Sequence, residues 1–202
     1  MIPFAMSRLP LLCLLALWLL APARAGRATT LIPRDFDYLV ARADTVFRGV
    51  VSGQQTRWVG EGASRHLATF VTFQVSETYK GTAAAEQTLR FAGGTLDGQT
   101  MAVDEVPTFA PGEESVLFVV NNGRQYCPLV GISQGRLRVV RDAAAGRERV
   151  FTAAMDPVAD PADLGRIEAD GTPRVRRRAA TGAQAMTTDE LRAAIRARLP
   201  AR

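Results

Sequence analysis

The sequence predicts a mainly β protein: a small antiparallel barrel or sandwich, with a short helix before the first strand and another after the last. Three observations carry that reading. Five to seven short stretches alternate in polarity or run continuously apolar, and Gly, Pro and Asn-Gly signals separate them. No helical pattern between them is long enough to serve as a parallel crossover. The 202 residues are 47% hydrophobic and 22% charged, which excludes disorder, collagen and coiled coil for the bulk of the chain.

Taken in order, Asp35 is an N-cap signal, and Phe36, Leu39, Val40 and Ala43 fall on one face of a helix over 35–43. Residues 45–52 are β-branched and aromatic, hence a strand. Residues 53–66 are polar with three Gly, hence a loop. Residues 67–79 form the strongest strand: Leu67, Thr69, Val71, Phe73 and Val75 share one face, and Phe70 on the other implies burial of both. Residues 87–92 make another, broken by Gly93-Gly94. A short strand at 100–103 interrupts the irregular stretch 95–110. Pro111-Gly112 turns the chain into 115–120, a continuous apolar run after Ser115, expected as a central strand. Asn121-Asn122-Gly123 reads as a hairpin returning along 125–131, with Pro128 placing that strand at an edge or bulge. Strands at 136–141 and 147–151 follow. The prolines, glycines and arginines of 156–186 predict an extended, flexible linker. Thr187 with Glu190 is a capping box opening a helix over 187–199. The barrel domain is therefore expected over 26–155.

Residues 1–25 read as a secretory signal. Arg8 precedes an apolar run at 9–20, and Ala23-Arg24-Ala25 is a small-x-small cleavage pattern, placing the cut between Ala25 and Gly26. The run is shorter than the roughly 20 residues that span a bilayer. The expectation is an exported protein, periplasmic or secreted, with no transmembrane segment after signal removal. After the cut Cys127 is the sole cysteine, so no intramolecular disulfide forms, and Cys127 is expected as a buried small hydrophobe in a strand. Residues 26–172 carry 15 basic and 18 acidic side chains, whereas 173–202 carry eight Arg against Asp189 and Glu190. The basic pI thus belongs to the tail. Arg174, Arg176, Arg177 and Arg178 lack aromatic neighbours, so nucleic acid is not the expected partner.

Residues 43–52 (ADTVFRGVVS), 70–81 (FVTFQVSETYKG), 112–120 (GEESVLFVV) and 134–140 (QGRLRVV), with Gly93-Gly94 and the closing helix, resemble the netrin-like domain. That is the OB-type barrel of tissue inhibitors of metalloproteinases. The same motifs look like those of an uncharacterised group of exported bacterial proteins, some encoded near secreted metalloproteases. The resemblance covers about residues 35–141. It implies an OB-like barrel and a protein partner, with a secreted protease as the candidate. In the animal inhibitors an N-terminal Cys chelates the protease zinc. Here Gly26 stands at the expected terminus with no disulfide to hold it; its amine could ligate zinc in principle, but without a clamp the ordering cost is high, and the inhibitor mechanism cannot simply be carried over.

The residues offer little reactive chemistry. One His and one Cys outside the signal exclude zinc fingers and cluster frames. Gly131-Ile132-Ser133-Gln134-Gly135 matches the nucleophile-elbow pattern, yet a strand and not a helix is expected after Ser133, and the only His, His66, precedes it. Asp104-Glu105 and Glu113-Glu114 are expected as solvated turn charges. Asp156, Asp160 and Asp163 are spread more as calcium ligands would be, with linker acidity the plainer reading. No catalytic residue, metal or cofactor is assigned. Trp58, in the 53–66 loop, is the candidate contact residue. The functional expectation is an exported, non-enzymatic protein-binding module. The alternatives are a serine hydrolase using Ser133 and His66, and an envelope scaffold or polysaccharide binder.

Overall fold

The computed structural model describes residues 32–142, 146–178 and 182–200. The expected signal and the Ala25/Gly26 cut lie outside these residues. Asp35 accepts the Tyr38 N–H at 2.7 Å and caps helix α1 (Phe36–Arg42). The chain then enters β1 (Thr45–Val59), turns through a 3-10 turn at Gly62–Ser64, and returns as β2 (His66–Lys80). β3 (Glu86–Ala92) follows, then a small hairpin of β4 (Gly94–Leu96) and β5 (Gln99–Met101). β6 (Glu114–Val119), β7 (Arg136–Arg141) and β8 (Glu148–Thr152) complete the strands. A short helix, α2 (Arg174–Arg178), and α3 (Thr188–Arg196) follow.

Six strands form one sheet in the order β3-β2-β1-β6-β7-β8, and every neighbouring pair is antiparallel. The mainly β, antiparallel expectation holds. The sheet is open, however. β3 and β8 are its edges, and no ladder joins them among the described residues. Both edges are covered by the chain itself. Asn122 accepts the Arg90 N–H and donates to Thr88 O, and the Tyr126 carbonyl takes the Ala92 N–H. Along β8, Val150 donates to Met186 O and accepts from Val158 N–H. An edge whose donors and acceptors are already engaged does not recruit a foreign strand.

Alternation along the strands sends apolar side chains to both faces. Val46, Val116, Phe118, Leu137 and Val150 pack under Phe36, Leu39 and Val40 of α1 and Leu191 and Ile195 of α3. Phe47, Val51, Phe73, Leu89, Leu117 and Val119 pack on the opposite, concave face with Phe109, Cys127 and Leu129. β6 is buried from Ser115 to Val119 because it feeds both clusters. Each such side chain contributes about 1.5–3 kcal/mol on burial. Register shifts in β1 at Val46/Phe47, Arg48/Gly49 and Val51/Gly53 bend it around the concave core. At Gly49 a Cβ would lie 2.9 Å from Gln74 O, so only Gly fits that bend.

Four expectations are corrected. Residues 53–59 are not loop: β1 continues through them, paired with β2 as far as Val59↔His66. Residues 125–131 are not a strand. Pro128 has no N–H, Gly131 and Ile132 take positive φ, and pairing shrinks to the single bridge Val119↔Leu129. Residues 156–178 and 182–186 do not form an extended linker. Val158, Leu164, Val175 and Met186 are buried in the core under α1 and α3. Glu113 and Glu114 are not merely solvated: Glu114 binds Arg48 at 2.6 Å, and Glu113 binds Arg136 and Arg138. The capping box at Thr187 and Glu190 is present as expected.

Candidate binding cleft

The bend of β1 and the passage of residues 93–109 across the concave face leave a cleft of about 610 Å³. Its floor is Thr56 and Thr69, which face each other across β1 and β2 with their hydroxyls 3.0 Å apart. Thr69 Oγ1 donates to Gly93 O at 2.8 Å. Having only one proton, it must accept from Thr56, so the pair has a fixed direction. Gly93 and Gly94, at φ 93° and 133°, lay β4 flat on these threonines. A Cβ at Gly94 would press on Thr69 Oγ1 and sit 2.7 Å from Thr56 Cγ2. Asp97 and Gly98, both at positive φ, make the two-residue turn into β5.

The far wall is residues 106–109, and Phe109 anchors it. Its ring meets Phe73 edge-on at 5.3 Å between centroids and Phe91 at 5.0 Å. Behind it, the Arg136 guanidinium lies 4.1 Å over the same ring. Arg136 is 3% exposed. It donates to Ser115 Oγ at 3.2 Å, Thr108 O at 2.6 Å and Glu113 Oε2 at 2.9 Å. Glu113 also accepts from Arg138 at 2.6 Å and from the Ala110 N–H at 2.9 Å. Burial pulls the Arg136 pKa down, and Glu113 restores part of it. For Glu113, burial acts to raise the carboxyl, but the Ala110 N–H and the two guanidiniums outweigh it and hold the group below its usual range. The wall is thus clamped to β6 and β7 by a charged cluster behind the aromatic.

All eighteen lining residues are uncharged. The volume is in the range of ligand sites, and a mix of threonine hydroxyls and apolar side chains suits an uncharged part of a partner.

The expected site residues fall elsewhere. Trp58 is on β1, on the same face as Thr56, half-buried under the Arg65 guanidinium at 4.5 Å. His66 opens β2 just after the 3-10 turn at Gly62–Ser64, and its Nδ1 lies 2.8 Å from Ser64 O. Ser133 sits in a 3-10 turn (Ile132–Gly135) that leads into β7, and its Oγ reaches Glu105 Oε2 at 3.4 Å. A strand, not a helix, leaves the Gly131-to-Gly135 motif; Ser133 sits in the turn before β7 and His66 at the start of β2, each hydrogen-bonded to a different partner. Asp156 pairs with Arg176 at 2.9 Å, and Asp160 caps Ala162. Among the described residues no group of three or more His, Cys, Asp or Glu could hold a metal ion. Cys127 is buried and free, as expected, but lies in an irregular segment and not in a strand. Burial pushes its thiol up to about 11.

Thr56, Thr69, Phe109 and Arg136 had not been singled out from the sequence. The one signal that pointed at the cleft was Gly93-Gly94, whose missing side chains permit the close approach to the threonines. No helix among the described residues is long and apolar enough to cross a membrane. No known family model matches the chain, and no curated protein is significantly similar to it.

Proposed function

We propose that the protein is an exported, non-enzymatic binding module that engages a protein partner through the concave cleft. The observation that carries this reading is the lining itself: a preformed hollow of ligand size, walled by a rigidly clamped aromatic, with uncharged side chains throughout. Such a surface favours binding over proton or group transfer, which needs a titratable residue at the reacting atoms. We further assign the curled sheet to the OB type, with its seam open. That class includes partly open barrels that bind on one face, and the resemblance of residues 35–141 to netrin-like domains supports it. On that assignment a co-secreted metalloprotease is the first partner to test.

The test uses the mature protein immobilised in culture fluid or periplasmic extract. Ala102, exposed on the cleft rim, is changed to Trp to fill the hollow. Ala84, exposed and outside the cleft, is changed to Trp as control. The expected result is one stoichiometric protein retained by the wild type and Ala84→Trp and lost with Ala102→Trp. Retention unaffected by Ala102→Trp, or no stoichiometric partner together with unchanged secreted proteolysis in a deletion strain, overturns the reading. Retention on peptidoglycan or polysaccharide beads, lost with the same variant, would redirect it to a glycan.

A further inference from the structure

We propose that the partner is held as an added β-strand along the free edge of β1 over residues 53–59, and that this strand is an extended polypeptide with acidic side chains at alternate positions. The inference rests on the cleft reading above and names how the cleft is filled.

The edge is defined by where β6 leaves. β1 pairs with β6 only from Thr45 to Val50, and Val51 closes that side by donating to Glu113 O and accepting from Gly112 N–H. Beyond it, β1 has β2 on one side, through seven register pairs from Gly53↔Thr72 to Val59↔His66. Among the described residues no backbone hydrogen bond from another element reaches the other side of that stretch. The contrast with β3 and β8 is what gives this weight, since the chain covers both of those edges with its own donors and acceptors. The uncovered edge also borders the cleft, because Gln54 and Thr56 line it. A row of alternating N–H and C=O groups at strand spacing is matched by another extended backbone. A glycan or nucleic acid carries no such row.

The two faces of the edge set the side chains. Thr56 and Thr69 face the cleft, so Arg57 and Phe70, their neighbours in sequence, face outward. An added strand places alternate residues over the uncharged cleft and the remainder beside Arg57. Arg57 lies flat on Phe70, 3.8 Å from its centroid, and Arg90 is the register partner of Phe70 on β3. Neither guanidinium has an ion-pair partner among the described residues, whereas Arg48, Arg136, Arg138 and Arg192 all do. Glu86, on the same face of β3, accepts from Gln74 Nε2 at 2.9 Å. A guanidinium stacked on a ring is held in place with its edge N–H groups free for a carboxylate. Two like charges flanking one ring favour an acidic neighbour.

The probe is an acetylated, amidated heptapeptide alternating Glu and Val. A peptide of the same composition with its Glu and Val in separate blocks is the control. Amide hydrogen exchange of the full mature protein is followed by NMR with each. The expected result is that alternate amides within 53–59 slow by about tenfold or more with the alternating peptide. Arg57→Glu is expected to weaken its binding by about tenfold or more, and the block peptide is expected to bind no better than that variant. No binding at millimolar peptide, saturation without protection of those amides, equal affinity for both peptides, or indifference to Arg57→Glu each overturns strand addition. The same variants separate the two readings. Capture of the natural partner lost with Ala102→Trp but intact with Arg57→Glu leaves the cleft standing and removes the strand. Capture indifferent to Ala102→Trp removes the cleft itself.

Discussion

Replacing Arg136 by Met removes the guanidinium that holds the cleft wall and keeps most of the stem volume. Three losses follow, and exposure decides their sizes. Ser115 is fully buried and makes its hydroxyl contact with Arg136, so its Oγ is orphaned at about 1–3 kcal/mol. Thr108 is exposed, so its carbonyl can turn to water and costs little. Glu113 keeps Arg138 and the Ala110 N–H and is 24% exposed, so the loss there is a charge-assisted bond and not a stranded charge. The contact with the Phe109 face adds about 1 kcal/mol. Against these stands the relief of desolvating one buried cation. The net expectation is about 3 kcal/mol, at the low end for breaking a buried ion pair, or a melting point lowered by about 10 °C in a chain of this size. Urea denaturation of wild type, Arg136→Met, Glu113→Gln and the double variant gives the cycle. The double variant should cost less than the sum of the singles by about 1–2 kcal/mol. A loss below about 1 kcal/mol for Arg136→Met, or additivity within experimental scatter, would refute the clamp.

Gly94→Ala should destabilise by about 2–3 kcal/mol, because φ 133° is strained for any side chain and the new methyl meets Thr56 and Thr69; a neutral result in thermal melts would mean that β4 does not lie on the threonines. Cys127, at 2% exposure and with its thiol pushed up to about 11, should resist a thiol reagent at pH 8 in the folded protein and react at once in denaturant; fast labelling of the native state would contradict its burial. Stability should also fall in acid. Glu113 is held low against burial by Ala110 and its arginines, and Glu148 is held low chiefly by Arg48. A carboxyl with a depressed folded pKa contributes stability above its unfolded value and loses it as pH drops through the folded one. Denaturation midpoints should therefore hold from pH 7 to about 5 and decline below about 4; a midpoint that rises below pH 4 would show the opposite sign.

The parts of the fold that local chemistry determines were legible. Asp35 and the Thr187/Glu190 pair cap their helices where their side chains say they should, and the apolar run at 115–120 is the strand buried on both faces. What escaped was decided by pairing at a distance. Gly53, Gln54 and Gln55 carry no strand propensity, and they are extended because β2 runs alongside them. Residues 125–131 are apolar enough for a strand, yet Pro128 and two left-handed residues stop the ladder. In 156–186 prolines and glycines are interspersed throughout, and Val158, Leu164 and Val175 are spaced without a period. Their burial follows from the need to cover β8 and the face beneath α1. Apart from Gly93-Gly94, the cleft left no local trace, for the same reason. Arg136 and Glu113 are 23 residues apart, and nothing in either neighbourhood announces the other.

One stretch of the family resemblance bears on this last point. Tyr79-Lys80-Gly81, at the end of β2, belongs to the joint between sheet and helix. Lys80, the sole lysine, donates its ammonium to Val40 O at 2.7 Å and Ala41 O at 3.1 Å, the free carbonyls of the last turn of α1. A cation at that end also answers the helix dipole. Tyr79 is buried in the core beneath the helix, and Gly81 turns at φ 70° with no room for a Cβ beside Asp44 and Thr45. Each residue of the motif is therefore accounted for by docking α1 onto the strands, and none lines the cleft or the free edge of β1. The proposed binding surface is built instead from Thr56, Arg57, Thr69 and Phe109, whose arrangement depends on the bend of β1.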